Sequence, residues 1–241
     1  MVAAAVLVWW GLSAANLFPP STFPAPTAVA GAFQEELRKG RLVNDMVASL
    51  YRVTWGFALA VLLSVPLGLL MGHYAAMRSA LLPVVNFFRN LSPLAWIPFA
   101  VLWFKVGDNP SIFLIFLSSF FTMTLAVMAA VANIPHVYFQ VGRDYGMSGA
   151  RLLTGITLPA IMPQFITTLR VTAGVAWMVV VAAEMLAGKD GLGFAIWDAR
   201  NGLRTDILVC EMIVIGLIGV CIDRLVVRLT MLPSVRWGYE R

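Results

Sequence analysis

Apolar residues run through this chain in long blocks, and the polar breaks between the blocks define its elements. Residues 111–134 and 160–187 are each long enough to cross a bilayer as a helix, which takes roughly 20 residues. Between them residues 140–159, QVGRDYGMSGARLLTGITLP, form a polar island. Around it Tyr138, Val141, Tyr145 and Leu152 recur at three-, four- and seven-residue steps, with Gln140, Arg143, Asp144 and Arg151 elsewhere on the wheel. That spacing predicts an amphipathic helix offering one face to a partner.

The remaining blocks predict further spans at 48–72, 81–104 and 207–229, with the two long runs giving spans at 111–133 and 159–186. Residues 1–18 are apolar and uncharged, and read as a first span or a secretory signal; the absence of basic residues favours the span. Residues 19–45 contain Pro19, Pro20, Pro24 and Pro26, then a stretch at 28–37 with Glu35-Glu36 that predicts a helix along the membrane surface. Pro66 and Gly68 mark kink points in the second span, and Arg52 falls near its end. The third span holds Pro83, Pro93 and Pro98 with Arg89-Asn90, residues tolerated at membrane depth where protein or water surrounds them, so it is the first candidate for a pathway wall. Ser118, Ser119 and Thr122 suit close helix contact in the fourth. In the fifth, Pro159 suits the first turn, while Arg170 and Glu184 lie near one face about 21 Å apart, so each needs a different partner.

Composition agrees with an integral membrane protein: 60% of residues are hydrophobic, 12% are charged, and mean hydropathy is +0.85. The net charge of +5 raises nucleic acid as a partner, but the basic residues are scattered over loops and span ends without a stripe. Those residues divide evenly between the two sides of the six spans, so the positive-inside rule assigns no orientation. Cys210 and Cys221, about 16 Å apart along one helix, cannot pair within the chain. His73 and His136, the only histidines, both fall at span ends, which offers no metal set. Gly188-Lys189 lacks the flanking Gly and Ser or Thr of a phosphate-binding loop. Intramembrane proteolysis lacks its zinc, aspartate or serine constellation, a haem or quinone subunit lacks histidines inside spans, and a self-sufficient transporter lacks an internal repeat.

Gly146, then nine residues, Ile156, one residue and Leu158-Pro159 resembles the EAA loop by which permease subunits of ABC importers dock on their ATPases. Gln140-Val141-Gly142 stands where that family has Glu-Ala-Ala, so the acidic residue is absent. Residues 90–98 (NLSPLAWIP), Leu169-Arg170, Ala176-Trp177, Ala183-Glu184-Met185, Gly191-Leu192-Gly193 and residues 198–201 follow in an order that resembles the nitrate/sulfonate/taurine/bicarbonate branch.

The resemblance implies an all-α integral membrane protein with six transmembrane helices in the type I ABC importer permease fold. Residues 1–241 would form a single permease domain, with an outer loop at 19–45 and a cytoplasmic coupling loop at 136–158. Gln140, Val141, Gly142, Arg143, Asp144, Tyr145, Gly146, Arg151, Ile156, Leu158 and Pro159 would couple to the ATPase. Arg89, Asn90, Pro93, Trp96, Arg170 and Trp177 would border the translocation pathway. The chain would carry no cofactor or metal and no enzymatic activity, ATP and magnesium being bound by the partner. Its partners would be a second permease copy, two ATPase domains, an extracytoplasmic substrate-binding protein and membrane lipid, with no nucleic acid. It would lie in the bacterial inner membrane with island and C-terminus cytoplasmic and import a small anion. The alternatives are a stand-alone transporter or an intramembrane enzyme subunit.

Overall fold

A computed structural model describes residues 2–15, 19 and 22–229, and all regular structure among them is helical. The elements are α1 (Val2–Ala14), α2 (Pro26–Arg38), α3 (Arg41–His73), α4 (Ala75–Asn90), a 3-10 turn (Pro93–Trp96), α5 (Ile97–Phe104), α6 (Asp108–Ala132) and α7 (His136–Asp144). They continue with α8 (Ala150–Leu152), a π turn (Leu153–Thr157), α9 (Leu158–Ala187), α10 (Leu192–Asn201) and α11 (Thr205–Arg228). Among the described residues, four helical stretches are long and apolar enough to cross a membrane unaided: Arg41–His73, Asp108–Ala132, Ala150–Ala187 and Thr205–Arg228. The basic tail residues Arg236 and Arg241 lie outside the described residues.

The contacts between these helices fix their directions. Gly56 faces Ile112 and Ile115, Gly68 faces Thr124 and Val127, and Gly72 faces Val131, so α3 and α6 run parallel in constant register. A parallel pair needs a return crossing between its members. The expected third span supplies it in pieces: α4 stops at Asn90, the 3-10 turn covers Pro93–Trp96, and α5 follows. Pro93 forces the break, because Ser92 before it is held extended (φ −59°, ψ 128°) and cannot continue α4. Trp177 meets Ile215 and Arg170 meets Asp223, so α9 and α11 are antiparallel.

The α3–α6 seam is built from small residues. Arg52, Gly56, Ala60, Ser64 and Gly68 recur at every fourth position, and all are buried. A Cβ on Gly56 would lie 2.7 Å from the Ile112 carbonyl oxygen, and one on Gly68 2.8 Å from that of Thr124. In hydrocarbon, where apolar burial gives helices no preference for each other over lipid, such close backbone approach is a main source of attraction. On α6 the buried hydroxyls are Ser111, Ser118, Ser119 and Thr124, while Thr122 is exposed, a correction to its expected contact role.

Two boundaries differ from the hydropathy pattern. The α3 helix begins at Arg41, not near residue 48, because its polar first turns are satisfied: the Gly191 N–H donates to Asp45 Oδ1 at 2.8 Å and the Leu192 N–H to Ser49 Oγ at 3.0 Å. The fifth span starts at Ala150, not Pro159. Residues 1–18 contain the 13-residue α1, shorter than the roughly 20 residues of a full crossing. The α2 helix buries Val29 and Ala32 against Ala199, Ile207 and Cys210, so α10 and α11 cover part of its apolar side, while Phe33 and Leu37 stay 43% and 47% exposed. Its Glu35 accepts from Lys39 and from Arg204, which together hold that carboxyl below the usual range. These ties are complete above the ordinary carboxylate pKa and are lost as pH falls through the lowered one. Cys210 is buried, Cys221 exposed, and both are free thiols.

Replacing Gly56 or Gly68 by Val should force α3 off α6 and cost about 1–3 kcal/mol by overpacking. Gly216→Ala, inside α11 with an added methyl that meets nothing within 4 Å, should cost nothing and raise stability by up to about 1 kcal/mol. Thermal melting of the detergent-solubilised chain checks both, and equal melting of Gly56→Val and wild type would contradict the seam.

Candidate functional site

The island forms a hairpin at the end of the bundle where α3 and α6 finish. Its first arm, α7, closes with a Schellman turn: the Gly146 N–H donates to Arg143 O at 2.8 Å and the Met147 N–H to Gly142 O at 2.9 Å. Gly146 sits at φ +73°, a conformation that glycine adopts without steric cost. The wheel drawn through Leu152 is therefore interrupted: Tyr138, Val141 and Tyr145 belong to α7 and its cap, while Leu152 lies on the second arm. Tyr138, Val141 and Tyr145 are 56%, 48% and 82% exposed, an apolar face left uncovered by the described residues. Gln140, Arg143, Asp144, Gly146, Arg151 and Pro159 are exposed as well.

The opposite side of α7 is locked to the fifth span. Gly142 is buried, and a Cβ there would come within 2.4 Å of Ile156 Cδ1 and 3.6 Å of Leu152 Cδ1. Gly142 and Ile156 thus touch across the hairpin, while Gly146 turns it. The second arm widens before Pro159: the Leu158 N–H bonds to Leu153 O, five residues back, in a π turn. Pro159 has no N–H for the carbonyl four residues earlier, which accounts for the wide turn immediately before it. Inside that turn Thr157 is fully buried, its hydroxyl 3.2 Å from His73 Nε2 at the end of α3, and His73 meets Phe139 edge-on. The hairpin is thereby joined to α3 as well as α9.

At the other end of the bundle Arg52, 1% exposed, is surrounded by acceptors. Its Nη1 donates to Glu184 Oε1 and to Asp190 O, each at 2.8 Å, its Nε donates to Asp108 Oδ1 at 2.7 Å, and Nη2 pairs with the Asp190 carboxylate. Glu184 is fully buried, and its second oxygen accepts from Ser49 Oγ at 2.8 Å and the Gly193 N–H at 3.0 Å. A Cβ on Gly191 would fall 2.5 Å from the Glu184 carboxylate, and one on Gly193 2.2 Å from Val181 O. The glycines of the 191–193 stretch are what let this loop close over the carboxylate.

The expected pathway residues do not form one cluster. Arg89 and Asn90 are exposed at the last turn of α4, and Pro93 and Trp96 are half-buried in the break that follows. Trp96 is packed among Phe88, Phe99, Trp103 and Phe113. Arg170 grips Asp223 with two hydrogen bonds, at 2.6 and 2.8 Å. Trp177 is 5% exposed in the core, donates its indole N–H to Ile215 O at 3.1 Å and packs against Gly219. Among the described residues no group of three His, Cys, Asp or Glu side chains could hold a metal ion.

Residues 64–230 match the family described as the inner membrane component of binding-protein-dependent transport systems. A putative ABC transporter permease protein of Methanocaldococcus jannaschii is 37% identical over 226 residues, covering 92% of this chain and 85% of that protein. The taurine transport system permease protein TauC of Escherichia coli is 31% identical over 227 residues, covering 92% and 82%. The bicarbonate transport system permease protein CmpB of Synechococcus elongatus is 35% identical over 191 residues, covering 79% and 68%. A chain of the MetNI methionine ABC transporter, solved in inward facing conformations, superposes with a TM-score of 0.64 at 19% identity, covering 81% of this chain and 99% of that one. The fold is that of a type I ABC importer permease.

Removing Glu184 leaves Arg52 buried without its buried partner. Glu184→Ala should cost about 3–5 kcal/mol and show as a collapse in folded yield and Tm. Asp190→Asn removes a half-exposed partner and should cost no more than about 1 kcal/mol. The reverse ranking would contradict the network.

Proposed function

The chain belongs to the family of inner membrane components of binding-protein-dependent transport systems, and from that premise we propose that it is the permease subunit of an ATP-driven importer of a small anion. The observation that carries the coupling role is the hairpin: a short helix with an uncovered face of Tyr138, Val141 and Tyr145, fixed on its other side to α3 and α9. A push on that face is delivered through Gly142 and Ile156 to the 38-residue helical stretch Ala150–Ala187. Gln140, Val141, Arg143, Asp144, Tyr145 and Gly146 make the contact, Arg151 flanks it, and Gly142, Ile156, Leu158 and Pro159 pass it on. Partner ATPases bind ATP and magnesium, α7 and the C-terminus face the cytoplasm, and a second copy together with an external binding protein completes the unit.

Taurine and bicarbonate, the cargo named for two relatives, are small molecules bearing an anionic oxygen group, which supports the cargo class. The pathway wall in this reading is the broken third span. Arg89 carries no carboxylate partner among the described residues, so its charge is available to an oxyanion, whereas that of Arg170 is offset by Asp223.

In proteoliposomes holding the full complex, Gly146→Val should reduce ATP-driven uptake and ATPase co-purification, with the stability of the isolated permease lowered by only about 1–2 kcal/mol. Normal uptake and normal co-purification in that variant would remove the docking assignment. At Arg89, Gln should slow anion uptake far more than Lys, since Lys keeps the charge. Equal uptake in Arg89→Gln and wild type would remove it from the pathway.

A further inference from the structure

Beside the hairpin, between the end of α3, the start of α4, the end of α6 and α7, lies a cavity of about 340 Å³. His73, Arg78, His136 and Arg143 line it together with the apolar Phe139 and Leu152, and no carboxylate does. Two guanidiniums and two imidazoles therefore meet at one place, brought by α3, α4 and α7. Elsewhere in the chain Arg41, Arg170 and Arg204 hold carboxylates at 2.6, 2.6 and 2.9 Å, and the buried Arg52 holds Glu184 at 2.8 Å. Among the described residues neither Arg78 nor Arg143 forms an ion pair, so none of those residues compensates the positive charge of the cavity. The N-cap of α7 is Pro135, which supplies no side-chain acceptor to the helix start beside the cavity.

We propose that this cavity binds a phosphate-bearing anion, with Arg78 and Arg143 as its principal ligands. A guanidinium presents paired N–H donors that match two oxygens of a phosphate, and two guanidiniums engage more of its oxygens than a single carboxylate could offer. The volume lies at the low end of small-molecule sites, roughly 300–1,000 Å³, and suits a phosphate with a short polar extension. The apolar wall of Phe139 and Leu152 excludes water on one side, which strengthens the charge-assisted bonds on the other. At the edge of a bilayer the same chemistry is carried by the headgroup of an acidic phospholipid and by free phosphate. The inference uses this chain alone and stands whether or not the hairpin docks on an ATPase.

The test is thermal melting of the full chain in detergent, titrated with inorganic phosphate and, separately, with dihexanoyl-phosphatidylglycerol. Sodium chloride at equal ionic strength and dihexanoyl-phosphatidylcholine serve as controls. A saturable rise of about 4 °C at ten times Kd is expected from at least one of the two anions. Inorganic phosphate acting alone identifies a free anion, and the phosphatidylglycerol acting alone identifies a lipid headgroup. Joint replacement Arg78→Gln and Arg143→Gln should raise Kd by roughly tenfold or more. If that double variant does not fold, Arg78→Lys with Arg143→Lys keeps the charge, and its loss of bidentate bonding should still weaken binding several-fold. An equal rise with chloride, or the same Kd in wild type and variant, overturns the proposal. So does a wild type that responds to neither anion; if its Arg78→Glu variant then also loses its ATPase, a partner's acidic side chain fills the cavity instead.

Discussion

The bundle depends on keeping one guanidinium charged and satisfied out of water. Arg52 belongs to α3, Glu184 to α9, Asp108 to the start of α6 and Asp190 to the loop before α10, so a single side chain ties four parts of the molecule at one end. Desolvating such a charge costs several kcal/mol unless every donor is met, and here Nε, Nη1 and Nη2 all have acceptors. The cost explains the surrounding sequence. Ser49 and the Gly193 N–H exist in this geometry to saturate Glu184, and Gly191 leaves the space its carboxylate occupies. Taken singly, the loop after α9 looks like an unremarkable glycine-rich turn, yet its backbone is part of an ion-pair shell.

Below that anchor, cohesion comes from closeness and not from bulk. With Gly56, Ala60, Ser64 and Gly68 on its buried edge, α3 brings its backbone against α6, and the large apolar side chains point elsewhere: Trp55, Leu59, Leu62 and Leu63 are 52%, 40%, 66% and 51% exposed. In water this arrangement would be inside out. In a bilayer the exposed leucines are solvated by acyl chains, and close van der Waals packing is left to hold the seam.

Much of this was legible along the chain, within definite limits. Hydropathy located the long spans because a bilayer imposes a minimum apolar length, and the prolines of the third marked it as broken, whereas only the structure shows that the break falls at Pro93 and not at Pro83. The need of Glu184 for a partner other than Arg170 followed from helical rise alone. That the partner is Arg52 did not, since the two are 132 positions apart and no local rule links them. Asp45 fell in the predicted loop because its polarity counts against a span; only the backbone N–H of Gly191 makes it admissible in α3. The four-residue recurrence from Gly56 to Gly68 was present in the sequence as a small-residue seam, but prolines and charges drew the reading elsewhere. At the hairpin, three- and four-residue spacing carried across Gly146 as though the helix continued, whereas a left-handed glycine resets the wheel.

The wide turn ahead of Pro159 has a consequence for where the hairpin points. A π turn holds one residue more than an α turn, so the same chain wound as regular α-helix through 153–157 would swing everything before it by roughly 100° about the span axis and lengthen it by about 1.5 Å. The azimuth of α7 around α9 is therefore set by a hydrogen bond that proline cannot make. A single-residue deletion in this segment can be absorbed by closing the turn, leaving the compass heading of the hairpin unchanged. Restoring the missing N–H at position 159, with no change in length, frees the turn to tighten and aim the same helix at a different quarter of the horizon.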